Sequence, residues 1–206
     1  MYELREKLLG RLHDISLPPS KEPTRGDFDL NPEWRERLMP TELTPAAVLV
    51  PIINRNGRPT VLFTQRTSHL KTHAGQVSFP GGRLEPGDGG PIAAALRESE
   101  EEIGLEPDHV DLIGLLDTYQ TGTNYVVTPV VGMVNSNFEP RLDAFEVAEL
   151  FEVPLDHVLD RENFFHESRD VGEFTRFFYA LYYEQWRIWG ATAGIMFDLV
   201  ERMDRA

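Results

Sequence analysis

The chain has 206 residues, 41% of them hydrophobic and 26% charged, enough for one well-filled core and short for two. Its 34 acidic and 20 basic side chains leave a net charge of −14, a field that excludes nonspecific binding to nucleic acid or to an anionic membrane. With no cysteine there is no disulfide, thiolate metal site or cysteine nucleophile, and with no long apolar run and no leader-like start the expected location is cytoplasmic.

Leu4, Leu8, Leu9 and Leu12 recur at helical spacing and predict an amphipathic helix over 2–13. Residues 16–44 are proline-rich and aperiodic, with one short helix expected at 32–38 behind an Asn31 cap. This stretch reads as a wrapping segment or as an arm that could join two copies in a homodimer. Runs at 46–53 and 60–65 predict strands joined across Asn56-Gly57, a hairpin-turn dipeptide. Pro51 lies within the first run and requires an edge or a bulge there. Further strands are expected at 110–119, 125–134, 149–153, 164–167 and 174–183, with a short helix at 154–159. Ile195, Met196, Leu199, Val200 and Met203 make the stripe of a C-terminal helix. Strands before, between and after helices predict an α/β fold with a mixed sheet covered on both faces. No repeat or linker interrupts it, so one globular unit is expected, with 1–44 as helix and arm and 45–206 as the main domain.

The chemistry concentrates between Phe79 and Leu105, where a glycine-rich loop runs into a helix carrying four glutamates in five residues. Pro91 suits a first helical turn and Gly104 a left-handed C-cap, which sets the helix at 91–103. At about 100° per residue Ile92, Ala95, Leu96, Ser99 and Ile103 form one stripe. Glu98, Glu101 and Glu102 share another side, and Glu100 points elsewhere. Three like charges at i, i+3 and i+4 repel, and in the last turns the macrodipole disfavours them too. A divalent cation removes that repulsion, and an all-oxygen donor set favours Mg²⁺ or Mn²⁺ over zinc; the alternative is a solvated acidic face, which would more naturally sit in the first turn and alternate with lysines. Upstream, Arg66, His69, Lys71, His73 and Arg83 gather around the same loop in an otherwise acidic chain. Gly81 and Gly82 there can present backbone amides closely to an oxyanion. An ordinary loop role remains the alternative for these cations, above all for the histidines.

Arg97-Glu98-Ser99-Glu100-Glu101-Glu102-Ile103-Gly104-Leu105 resembles the second half of the Nudix box, R-E-U-x-E-E-x-G-U, with Ser99 at an aliphatic position. In the first half Asp88 stands for the usual Glu, and one residue more than usual separates it from Arg97. The segment from Leu62 to Gly82 is similar to the motif L-L-T-x-R-[SA]-x3-R-x3-G-x3-F-P-G-G of the coenzyme A pyrophosphatase branch of Nudix hydrolases. It matches at Leu62, Thr64, Arg66, Gly75, Phe79, Pro80, Gly81 and Gly82, and departs at Phe63, Thr67 and Lys71. Trp189-Gly190-Ala191-Thr192-Ala193 looks like the turn that precedes the last helix in that branch.

The resemblance implies an α/β/α Nudix sandwich and metal-dependent hydrolysis of the diphosphate of coenzyme A or its thioesters. The products would be adenosine 3′,5′-bisphosphate and 4′-phosphopantetheine or its acyl form. By the same resemblance Glu98 and Glu102 are the principal Mg²⁺ or Mn²⁺ ligands and Glu101 is a third ligand or a base. Arg97 orients Glu98, while Arg66, Lys71, Gly81 and Gly82 bind the nucleotide substrate. Glu146 is an outside candidate for the general base, with a surface glutamate at the start of a strand as its alternative. Two other functions stay open: hydrolysis of another nucleoside diphosphate derivative such as ADP-ribose or a dinucleotide, and a catalytically silent nucleotide-binding module.

Overall fold

The computed structural model describes residues 2–17, 19–20, 22–34, 42–70 and 72–204. Helix α1 spans Tyr2–Leu9, shorter than the leucine spacing predicts because Gly10 follows and the chain turns there. The proline-rich arm then adds a two-residue strand β1, Arg25–Gly26, parallel to β7, Tyr119–Gln120. The expected helix at 32–38 is a 3-10 turn over Pro32–Trp34 in its described part, and 35–38 lie outside the described residues. Asn31, the expected cap, bridges to other elements. Its amide donates to the carbonyls of Asp27 and Phe177 and accepts from the Phe177 N–H, which fastens the arm to the C-terminal sheet.

Strands β2, Thr44–Arg55, and β3, Arg58–Arg66, form the expected hairpin. Asn56 and Gly57 both adopt positive φ, 54° and 84°, which a primed two-residue turn demands. Pro51 corrects the expectation of an edge or bulge. Strand β2 lies inside the sheet, with β8, Tyr125–Val134, parallel on one side. On its other side β5, Gly81–Arg83, pairs at Ala46–Val48 and β3 pairs from Ile52 onward. Leu49 donates on that side to Pro80, so position 51, two residues on, faces the gap between the two partners, where no donor is required.

The remaining strands of this mixed sheet are β4, Val77–Ser78, β6, Val110–Leu115, and β9, Val147–Pro154, nine strands in all among the described residues. The single strand expected over 110–119 is split into β6 and β7, because the Asp117 N–H leaves the ladder to donate to the Asp198 carboxylate. Helix α2, Pro91–Ile103, covers one face, where Ala94, Ala95 and Ile103 meet Ala47, Leu49 and Ile53 of β2. The other face carries α1, α3, Leu155–Leu159, and α4, Ala191–Asp204, packed on Val50, Ile52, Val61 and Phe63. A second, antiparallel sheet of β10, Phe164–Val171, β11, Phe174–Tyr183, and β12, Trp186–Trp189, joins this layer. The result is the expected α/β sandwich with helices near both termini. No helix among the described residues is long and apolar enough to cross a membrane.

Candidate active site

Helix α2 begins with Pro91 after Gly90, whose carbonyl accepts from the Ala94 N–H, and stops at Gly104, whose φ of 71° lets its N–H and that of Leu105 return to the Glu100 and Ser99 carbonyls. Ser99, unusual at its position, is fully buried, and its hydroxyl donates to the Ala95 carbonyl at 2.6 Å, so the core holds no unsatisfied group there.

The three glutamates occupy graded environments. Glu102 is 5% exposed and lies under the glycine loop, where its Oε2 accepts from the Gly81 N–H at 3.2 Å. Glu98 is half-buried against Gly82, and Glu101 is open to solvent. A Cβ at Gly82 would collide with the Glu98 carboxylate, and one at Gly81 with the backbone of β2. Backbone therefore requires glycine at 81, whereas the flexible end of Glu98 could yield to a side chain at 82, and the Gly81 N–H, expected to meet an oxyanion, is instead donated to Glu102.

Arg97 organises the exposed edge. Its Nε and Nη2 donate to the two Asp88 oxygens at 3.0 and 3.1 Å. Its Nη1 reaches Glu98 at 3.0 Å and Glu101 at 3.1 Å, and Nη2 also donates to the Arg83 carbonyl. Asp88 thus has a definite role despite the inserted residue. The extra length closes a turn in which the Glu85 N–H donates to Asp88 Oδ2, and the Arg97 guanidinium holds the Asp88 carboxyl below the usual carboxylate range.

Arg66 sits at a register shift between Gln65 and Arg66, where β3 meets β9, an irregularity of the kind that re-aims a side chain. It points between two carboxylates, 3.7 Å from Glu102 and 3.9 Å from Glu146. Glu146, placed just before β9, is thereby brought to the site. Arg66 Nε is buried and has no hydrogen-bond partner, a donor left over for an oxygen that enters the site.

The other loop cations divide. Arg83 turns to the Tyr125 hydroxyl at 2.9 Å, His69 packs on the Phe145 ring, and His73 bonds Gln76. Lys71 lies outside the described residues.

Beyond Gly81 opens a cavity of about 320 Å³ whose lining includes Arg66, His73, Arg169, Arg176, Trp189 and Gly190. Asp27, from the arm, also faces it, but its carboxylate already accepts from the Tyr119 hydroxyl, the Gly122 N–H and Arg176. The Trp189-Gly190 turn forms one wall, and Thr192 fixes it by donating to the Val77 carbonyl at 3.2 Å. Asp27, Arg169 and Arg176 were not legible as site residues. They come together through pairings across as many as 149 positions, and no local motif marks them.

No three His, Asp or Glu side chains among the described residues already converge on one point. The donor chemistry nevertheless suits a divalent ion. Burial pushes the Glu102 carboxyl up to about 8 against the lowering effect of Gly81 and Arg66, and burial also raises Glu98. Desolvated carboxylates with too little positive charge nearby are what a divalent cation completes. Mg²⁺ keeps several waters and takes only one or two carboxylates plus phosphate oxygens, so it does not demand a ready-made cage.

An edge of carboxylates adjoining a cationic cavity is the arrangement of an enzyme for a phosphate-bearing substrate. The model of the NUDIX domain matches residues 43–172. The Nudix hydrolase NudL of Escherichia coli strain K12, itself uncharacterized, is 43% identical over 157 residues, covering 75% of this chain and 80% of NudL. NudL of Shigella boydii serotype 18 matches with the same figures. The chain belongs to the Nudix family, whose members generally use divalent ions such as Mg²⁺ or Mn²⁺. Among solved structures, the Nudix hydrolase RenU of M. smegmatis aligns with a TM-score of 0.49 and 24% identity over 57% of this chain and 74% of RenU. The Ap4A hydrolase of C. elegans aligns at 0.47 and 21% over 54% of this chain and 80% of its own.

Proposed function

We propose that this Nudix hydrolase cleaves the diphosphate of coenzyme A or its thioesters to adenosine 3′,5′-bisphosphate and 4′-phosphopantetheine or its acyl form. The observation that carries this reading is the continuity of Glu98, Glu101 and Glu102 with the Gly81-Gly82 loop, Arg66 and the cationic cavity behind them. That loop ends the segment from Leu62 to Gly82 that resembles the coenzyme A branch.

In the reaction, a water oxygen forms a bond to one phosphorus, the bridging P–O bond breaks, and the water proton goes to a carboxylate. Glu98 and Glu102, with Glu101 at the rim, would hold Mg²⁺ or Mn²⁺. Such an ion supplies charge neutralisation of the diphosphate and a lowered pKa for the attacking water. Arg97 keeps Glu98 and Glu101 aimed at a common point through one guanidinium nitrogen. Gly81, through its N–H to Glu102, and Gly82, packed on Glu98, would seat those two carboxylates at the edge the phosphates reach. Arg66 offers its free Nε to a phosphoryl oxygen, and Glu146 beside it is the candidate to take the proton.

Incubation with coenzyme A and Mg²⁺ or Mn²⁺, read by mass spectrometry, tests this. The expected products are adenosine 3′,5′-bisphosphate and 4′-phosphopantetheine. Intact coenzyme A under conditions where ADP-ribose is cleaved overturns the substrate.

A further inference from the structure

Arg169 and Arg176 are Cα partners in the β10–β11 ladder, both among the residues that line the cavity beyond Gly81. Like charges placed directly opposite in an antiparallel pair repel; Arg169 is exposed to water, whereas Arg176 is partly buried and needs a counterion. Asp27 offsets one. It binds Arg176 through Nη2, and it is held in place by Tyr119 and Gly122. Arg176 Nε remains buried with no partner, and Arg169 makes no side-chain hydrogen bond or ion pair among the described residues. The cavity therefore keeps uncompensated positive charge on a wall supplied by the C-terminal sheet. The carboxylates that would act on the diphosphate belong to a different element, α2. Trp189 pairs with Ala180 on the same face of β11 as Arg176, and its half-buried ring, packed on Phe178, adds an aromatic surface to the lining of the same cavity.

We propose that Arg169 and Arg176 receive a phosphomonoester carried by the nucleotide, separate from the diphosphate that is cleaved. A phosphomonoester presents three acceptor oxygens and close to two negative charges, which suits two planar guanidinium forks better than a single carboxylate would. The inference rests on the substrate proposed above, because coenzyme A bears one such group on its ribose in addition to the diphosphate. The two arginines are then specificity residues. They sort substrates by the presence of that group and touch no bond that breaks.

The test separates this from the choice of substrate. Calorimetric titration without metal compares adenosine 3′,5′-bisphosphate with AMP on the wild type, Arg169→Ala and Arg169→Lys. The wild type prefers the bisphosphate by on the order of tenfold, Arg169→Ala erases that preference, and Arg169→Lys restores part of it. An unchanged preference in Arg169→Ala, or none in the wild type, overturns the assignment. In parallel, kcat and KM are measured on coenzyme A and on 3′-dephospho-coenzyme A, whose diphosphates are identical. The expected loss in Arg169→Ala is in KM for coenzyme A, which brings the two substrates together. Turnover of both coenzymes without preference sinks the phosphate subsite and leaves the hydrolase reading intact. A bisphosphate preference that depends on Arg169, with neither coenzyme cleaved, supports the subsite and sinks the proposed substrate.

Discussion

Two clusters of like charge face this site, and they are built in opposite ways. On α2 the glutamates lie three and four residues apart, on one turn of one helix, and Arg97 from the same helix spans two of them. On the β10–β11 hairpin the arginines oppose each other across a ladder, and their counterion Asp27 comes from the N-terminal arm, 149 residues from Arg176. The first cluster is a local device suited to a cation that the helix can hold whatever the substrate. The second depends on the whole chain having folded, and it is suited to sorting what enters. Catalysis should therefore fail with lesions on α2 for every diphosphate, while lesions on the hairpin should alter choice among diphosphates.

The largest effect is expected from Glu102→Gln. The amide still accepts from the Gly81 N–H, and burial already favours the protonated, neutral Glu102 carboxyl near neutral pH, so the fold holds and the unfolding temperature stays within a few degrees of wild type. Turnover should fall on the order of a hundredfold or more for any diphosphate substrate, measured as kcat at saturating Mg²⁺. Chelation of the divalent ion should match that loss in the wild type and be reversed by Mg²⁺ or Mn²⁺. A Glu102→Gln enzyme that retains near wild-type activity would remove the glutamate edge from the mechanism.

Arg97→Lys is next. Lysine keeps the charge but cannot span Asp88, Glu98 and Glu101 with one planar group, so metal affinity should weaken by roughly 10- to 100-fold. Titration of activity with Mn²⁺ reads this directly, and a shift toward higher Mn²⁺ with little loss at saturation is the expected pattern. Arg66→Ala should sharpen the contrast further. Because Arg66 stands between Glu102 and Glu146, its loss should lower kcat on coenzyme A and on 3′-dephospho-coenzyme A alike, by about tenfold. A loss confined to coenzyme A would move Arg66 into the same class as Arg169.

The same division decides what the sequence disclosed. Pro91, Gly104 and the glutamate spacing are local signals, and α2 follows them residue for residue. Asn56-Gly57 likewise set the β2–β3 hairpin, since both residues need positive φ. Strands β1, β4 and β5 escaped because two or three residues cannot show a period of two, and the four-residue β12 escaped with them. The bridging role of Asn31 was not legible, because a capping amide and a bridging amide look alike in sequence and only the approach of β11 reveals the bridge. Pro51 misled for a related reason, since the gap it faces is made by two partners that meet β2 from elsewhere in the chain. Glu146 could be no more than a candidate from sequence, because the register shift that brings Arg66 near it belongs to the pairing of β3 with β9.

The smallest effect lies away from both clusters, where a third charged group ties the chain ends together and should leave substrate choice untouched. Asp117 accepts from Arg202 at 2.8 Å and lies 2.9 Å from His13 Nε2, while Asp198 on α4 accepts from the Asp117 N–H. Burial acts to raise the Asp117 carboxyl, but the His13 and Arg202 hydrogen bonds outweigh it and hold it below the usual carboxylate range. A depressed folded pKa means that the unfolded chain takes up the proton first as pH falls. The stabilisation is thus fully present above the ordinary Asp value of about 4 and is lost as pH drops below it through the folded value. Asp198 opposes this, since burial raises its carboxyl and its contribution grows as pH falls. Asp117→Asn removes the first contribution and, by taking away a neighbouring negative charge, also lessens the second. Its unfolding free energy should lie about 1 kcal/mol below wild type at pH 7, with the gap closing as pH is lowered under 4. A gap that stays constant across that range would show that Asp117 contributes through packing alone.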